Sequence, residues 1–174
     1  MPYALWVASD NRFAFSADNN GGVPITQAAF DALFAGQTAG QVIANDGAGN
    51  PVLQAPAAPS PAFVAMAAAA ALQAGGLTIT CTSTPAINGV YAADAAAWAS
   101  VTAIIAGIST NGTFPMGRAS WPWLLADKVT WVTFPSVALF KEFATALEGF
   151  VGALTLYAAG DPGAALPSAS ATLA

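Results

Sequence analysis

The chain of 174 residues contains no histidine. That removes the commonest general base and metal ligand, so any catalytic scheme would have to rest on carboxylates, lysine or a thiol. The carboxylates are scattered. Asp10 and Asp18 share one loop, while Glu142 and Glu148 share one predicted helix on which their spacing points them to different faces. A retaining glycosidase needs two carboxyl groups about 5 Å apart, and no spacing in the sequence suggests such a pair. An enzyme is not expected, and neither a metal nor an organic cofactor has a recognisable ligand set.

Charge is the second shortage. Charged residues make up 7% of the chain, against roughly 25% in an ordinary soluble domain. The four basic residues, Arg12, Arg118, Lys128 and Lys141, are dispersed in a chain of net charge −5, so nothing could neutralise a phosphate backbone and nucleic acid is not an expected partner. Two situations tolerate so uncharged a surface: a membrane, or an assembly whose neighbours cover it. The longest apolar run, Ala62 to Ile79, is mostly alanine and is interrupted by Gln73 and Gly75-Gly76. A spanning helix needs about 20 strongly apolar residues. A second run, Val137 to Ala158, contains Lys141, Glu142 and Glu148. No membrane span is expected, and the covered surface of an assembly is.

The amino-terminal "MPYALWVASDNRF" lacks a basic segment followed by an apolar core, so no signal peptide and a cytoplasmic site of synthesis are expected. The single cysteine, Cys81, has no internal disulfide partner and lies in the alternating "LTITCTS", where it reads as a buried strand residue.

What is present reads as an α+β protein. Residues 1–54 form a small ββαββ module. "YALWVAS" and "RFAFS" are strands around Asp10-Asn11, and "ADNNGGVP" is a loop. Thr26 caps a helix whose Phe30, Leu33 and Phe34 share a face, and Gly36 or Gly40 ends it. In "QVIANDGAGNPVL" the central "NDGAGN" offers Asp and Asn to bond their own backbone and two glycines for positive φ, as a hairpin connection requires. It has one carboxylate where a calcium loop supplies several oxygens, and it lacks the lysine and hydroxyl residue of a phosphate loop.

Residues 55–76 read as an alanine-proline linker, "APAAPSPA", and an alanine helix over residues 63–74 stopped by Gly75-Gly76. Residues 77–174 form a second α+β module with two helices and a tryptophan-rich β-hairpin. In its first strand Leu77, Ile79 and Cys81 point one way, and Asn88-Gly89 is a turn. Asp94 caps a helix with the stripe Trp98, Val101, Ile105 and Ile108, stopped at Asn111-Gly112. "SWPWLLADKVTWVTFP" places Trp121, Trp123 and Leu125 on one arm, Asp127-Lys128 at the tip, and Val129, Trp131 and Thr133 on the other. Ser136 caps the longest helix, where Phe140, Phe143, Leu147, Phe150, Leu154 and Tyr157 recur at alternating spacings of 3 and 4, a heptad seam widened by Leu139, Val151 and Leu156. "GDPG" turns the chain toward a short final strand. The seam residues and Trp121, Trp123 and Trp131 are the candidates for partner contact. The three rings would serve as a platform for a sugar or a protein, or as packing between the hairpin and the last helix.

"WVASDNRFAFS", "ITQAAFDALFAGQTAGQVI" and "NDGAGNPVL" together resemble the small domain of bacteriophage and prophage tail-fibre assembly proteins. Asp46, Gly49 or Asn50, Pro51 and Val52 correspond to a motif that recurs there. "WPWLLADKVTWVTF" with its following helix looks like a phage domain of unassigned activity. The resemblance implies a non-enzymatic role on the distal tail of a virion, after synthesis in the host cytoplasm. The partners it implies are a tail-fibre protein, further copies of the chain in a homo-oligomer such as a trimer, or both. Two competing readings stay open: a receptor-binding tip that recognises surface polysaccharide, and a capsid or tail decoration protein.

Overall fold

A computed structural model describes all residues, Met1–Ala174. The chain is α+β and divides into two compact units, Met1–Ala58 and Pro59–Ala174.

In the first unit, β1 (Tyr3–Val7) and β2 (Arg12–Ser16) form an antiparallel hairpin with Leu5 opposite Ala14. The segment read as loop contributes a further strand, β3 (Val23–Pro24), which pairs with the free edge of β1. Two features allow it. Asn20 Oδ1 accepts the Gly22 N–H and shapes the turn, and a Cβ on Gly22 would overlap the backbone of Ala4, so only glycine lets the strands approach. Helix α1 (Gln27–Thr38) begins where the Thr26 hydroxyl accepts the Ala29 N–H, and Gly40 at φ +89° follows its end. Gly36 lies inside the helix instead, against Leu53. The hairpin β4 (Val42–Asn45) and β5 (Pro51–Gln54) completes the unit. Ala4, Phe13 and Leu33 are its buried residues, and the half-buried Phe15 and Phe30 meet the more exposed Phe34 in edge-on and tilted contacts, with centroids 4.6–5.5 Å apart.

The second unit opens with α2 (Pro61–Gly75), capped by Ser60. This helix is part of the unit and not a linker element. Ala69 is buried and Leu72 packs on the core, so the extended connector shortens to the few residues after β5. Gly76, at φ +77°, turns the chain directly into β6 (Leu77–Cys81), where a side chain would strike the Tyr91 carbonyl. Leu77, Ile79 and Cys81 are buried and the two threonines exposed, as the alternation predicts.

β7 (Gly89–Tyr91) pairs antiparallel with β6, and Asn88 sits at the end of a short 3-10 turn. Asn88 still shapes the bend, since its Oδ1 accepts the Cys81 N–H. Helix α3 (Ala95–Asn111) is capped by Asp94, closes on Gly112, and buries Val101, Ile104 and Ile108. Ile104 replaces the expected Ile105, which is half-buried along with Trp98.

The hairpin β8 (Trp121–Leu124) and β9 (Trp131–Phe134) leads into α4 (Val137–Ala158), whose cap is Ser136. On β9 the residues that reach the core are Val132 and Phe134, whereas Trp131 and Thr133 face out and Val129 lies in the exposed turn. The closing strand β10 (Ser170–Leu173) lies parallel to β6, giving the sheet order β10-β6-β7. No helix is long and apolar enough to cross a membrane.

Candidate functional site

The heptad seam turns inward. Phe140, Phe143 and Leu147 are fully buried, Phe150 and Leu154 nearly so, and Tyr157 half-buried. Their cover comes from the chain itself. Phe143 lies 4.7 Å from Tyr91 and 5.1 Å from Phe134 by ring centroids, and Phe140 packs edge-on against Phe114 and Phe134. The expectation that this seam meets a partner is therefore corrected. A face of about half a helix is too wide for one neighbour, but here the hairpin, β6, β7 and α2 all share it. The core contains no buried charged side chain. The hydroxyl of Tyr91 donates to the Ile87 carbonyl at 2.6 Å, and burial, with a smaller contribution from Cys81, holds its pKa far above the usual phenol range.

The three hairpin tryptophans separate. Trp123 is buried against Phe140 and Phe143. Trp121 is half-buried, stacked on Phe114 with the Arg118 guanidinium 5.9 Å from its ring. Trp131 is 65% exposed. Between the hairpin and the first turns of α3 runs a groove of about 370 Å³, walled by Trp121, Trp123 and Trp131, with Asp94, Ser100 and Lys128 at its polar margin. Asp94 caps α3 as the sequence predicts, but its place along the same groove as the tryptophans depends on tertiary packing that no local pattern encodes.

The hairpin tip is held by one carboxylate. Asp127 accepts the Thr130 hydroxyl at 2.6 Å and the N–H groups of Val129 and Thr130, both at 2.9 Å. These bonds, the Thr130 hydroxyl foremost, hold its pKa below the usual carboxylate range. Because the folded value is depressed, its support for the turn is present above the unfolded pKa and is lost as pH falls through the lower folded one. A carbon-13 titration should find the Asp127 carboxyl midpoint below that of a free aspartate, and Thr130→Val should raise it. An unchanged midpoint in the variant would contradict the assignment.

In "NDGAGN" the oxygens are similarly committed to the turn. Asp46 Oδ1 accepts the N–H groups of Ala48 and Asn50, its Oδ2 accepts the Asn50 amide, and Asn45 Oδ1 accepts from Gly47 and Gly49. No three of Asp, Glu or Cys lie together in a metal-holding cluster.

A second surface went unread in the sequence. Phe63, Val64 and Met66 on α2 are 62%, 52% and 58% exposed. The available signal was that no charged residue stands between Asp46 and Asp94. The helix over residues 63–74 is expected from the sequence, but its run of alanine does not say which side faces solvent.

Comparison of the chain with protein-family models, with curated proteins and with solved structures finds no match to any of them.

Proposed function

We propose that the protein is a non-enzymatic, tail-fibre-associated structural or assembly component of a bacteriophage, retained at the distal tail and acting through contacts with a fibre polypeptide and with its own copies. The observation that carries an assembled role is the apolar, charge-free exposure of α2, which a partner surface would cover. The scattered titratable groups give no acid-base pair for a chemical role. The resemblance of the amino-terminal module supplies the tail fibre as the setting. Co-expression with the adjacent fibre gene should raise the yield of soluble fibre, and the two chains should co-purify through a contact insensitive to salt. Equal fibre yield with and without this chain, and no co-purification, would remove the proposal.

The groove beside Trp131 favours a second reading, recognition of a surface polysaccharide. Trp131 offers a ring face for a sugar to stack on, and Asp94 and Lys128 line the same groove as polar groups. Host polysaccharide should then quench the intrinsic fluorescence, and Trp131→Ala should abolish that response.

A further inference from the structure

We propose that α2 is a self-association surface, on which two copies of the chain pack antiparallel about a two-fold axis. This deepens the assembly reading by naming one partner as a second copy, and it rests on that reading only in requiring that the apolar face be covered.

The face is continuous. At 100° per residue, Phe63, Met66, Ala67, Ala70, Ala71 and Ala74 fall within one broad stripe, opposite the buried Ala69 and half-buried Leu72. All six are exposed. No charge interrupts the stripe, and the flanking carboxy-terminal half of α4 carries none from Gly149 to Ala158. A solvent-facing helix ordinarily carries charged residues there.

The stripe also tapers in a way that fits itself. Its bulky residues, Phe63 and Met66, stand in the first half, and the second half is alanine. An axis passing between Ala68 and Ala69 sets Phe63 opposite Ala74, Met66 opposite Ala71 and Ala67 opposite Ala70, each pair occurring twice. Large side chains of one copy then fill the space above the alanines of the other, and the axes can approach to about 8 Å. This is the requirement for an isologous contact, in which one patch is its own complement. A helix lying on a lipid surface would instead need lysine or arginine along its polar side. This helix has none, and the chain is net negative.

Sedimentation of the full chain across low to high micromolar concentration should show a monomer-dimer equilibrium. Ala70→Glu should weaken it at least about a hundredfold, since each dimer would bury two carboxylates near the axis. Because Ala70 is exposed, helical circular dichroism should be unchanged. Should that variant misfold, Phe63→Ser tests the same contact from the first turn. Thr102→Glu, on the exposed side of α3, should leave the dimer intact. Mixing Phe63→Cys with Ala74→Cys chains under oxidation should cross-link unlike copies, while neither alone should link to itself. A monomer at all concentrations, a dimer that survives both α2 substitutions, self-linking of a single cysteine variant, or a monomer that binds phosphatidylcholine vesicles would each overturn the proposal. Co-purification of a fibre with a chain that is itself monomeric would sink this inference while leaving the assembly reading intact.

Discussion

Leu147→Glu is expected to unfold the second unit at neutral pH. Leu147 is fully buried in the middle of α4, in a core that holds no charged side chain and whose buried Tyr91 hydroxyl already donates to the Ile87 carbonyl. The substitution removes apolar contact and leaves a carboxylate without a hydrogen-bond donor. Together these should cost about 4 kcal/mol or more, a large part of the roughly 5–15 kcal/mol that holds a domain together. Burial would raise the pKa of the introduced group, so the ionisation part of the penalty grows as pH rises through the unfolded carboxylate value, is complete only above the raised folded value, and is relieved as pH falls. Urea unfolding followed by circular dichroism and tryptophan fluorescence would measure it. A midpoint within a few tenths molar of the parent would mean that the seam faces a partner or solvent after all.

A second large effect separates two tryptophans of one hairpin. Trp123→Ala should cost about 3–5 kcal/mol, as expected when a large aromatic leaves a packed core. Trp131→Ala should stay within about 0.5 kcal/mol, because its ring stands in solvent beyond the cross-strand contact with Leu124. Of the five tryptophans Trp131 alone is exposed, so its removal should also shift the emission of the folded chain to the blue and reduce quenching by acrylamide. Equal destabilisation by the two substitutions would show that the outward face of β9 is covered.

The same hairpin shows where reading residues in order succeeds and fails. Its arms and tip were evident from aromatic residues around Asp127-Lys128. The tip, however, is closed by Asp127 over Thr130, with the Leu125 N–H bonded to the Thr130 carbonyl. That delays the start of β9 to Trp131 and sends Val132 and Phe134 inward. A one-residue change of phase moves every side chain to the other face, and nothing local distinguishes "VTWVTF" in one phase from the other. The helix caps Thr26, Ser136 and Asp94 were readable because capping is a local bond between a side chain and an N–H group two or three residues on. β3 was missed because two residues, one of them proline, make a strand only through the neighbour they meet. The seam of α4 was read correctly as a wide apolar face, but its cover was assigned to another molecule. Deciding that requires knowing that β6, β7, the hairpin and α2 converge on it, which depends on contacts distant in sequence. For the same reason the groove beside Trp131 could not be assembled from its separate strands and helix.

The pairing of β6 with β10 also has a consequence in time. Cys81 and Ala174, whose atoms meet at the end of this ladder, are 93 positions apart. At about 5–20 residues per second, a ribosome delivers the second partner on the order of 5–20 seconds after the first. Throughout that interval β6 can pair with β7 alone, and one of its edges stays open on a nascent segment with no charged residue upstream as far as Asp46. Charged gatekeepers normally guard such an edge. The sheet therefore closes only through a pairing distant in sequence, and β6 keeps an open edge until residues 170–173 have been made.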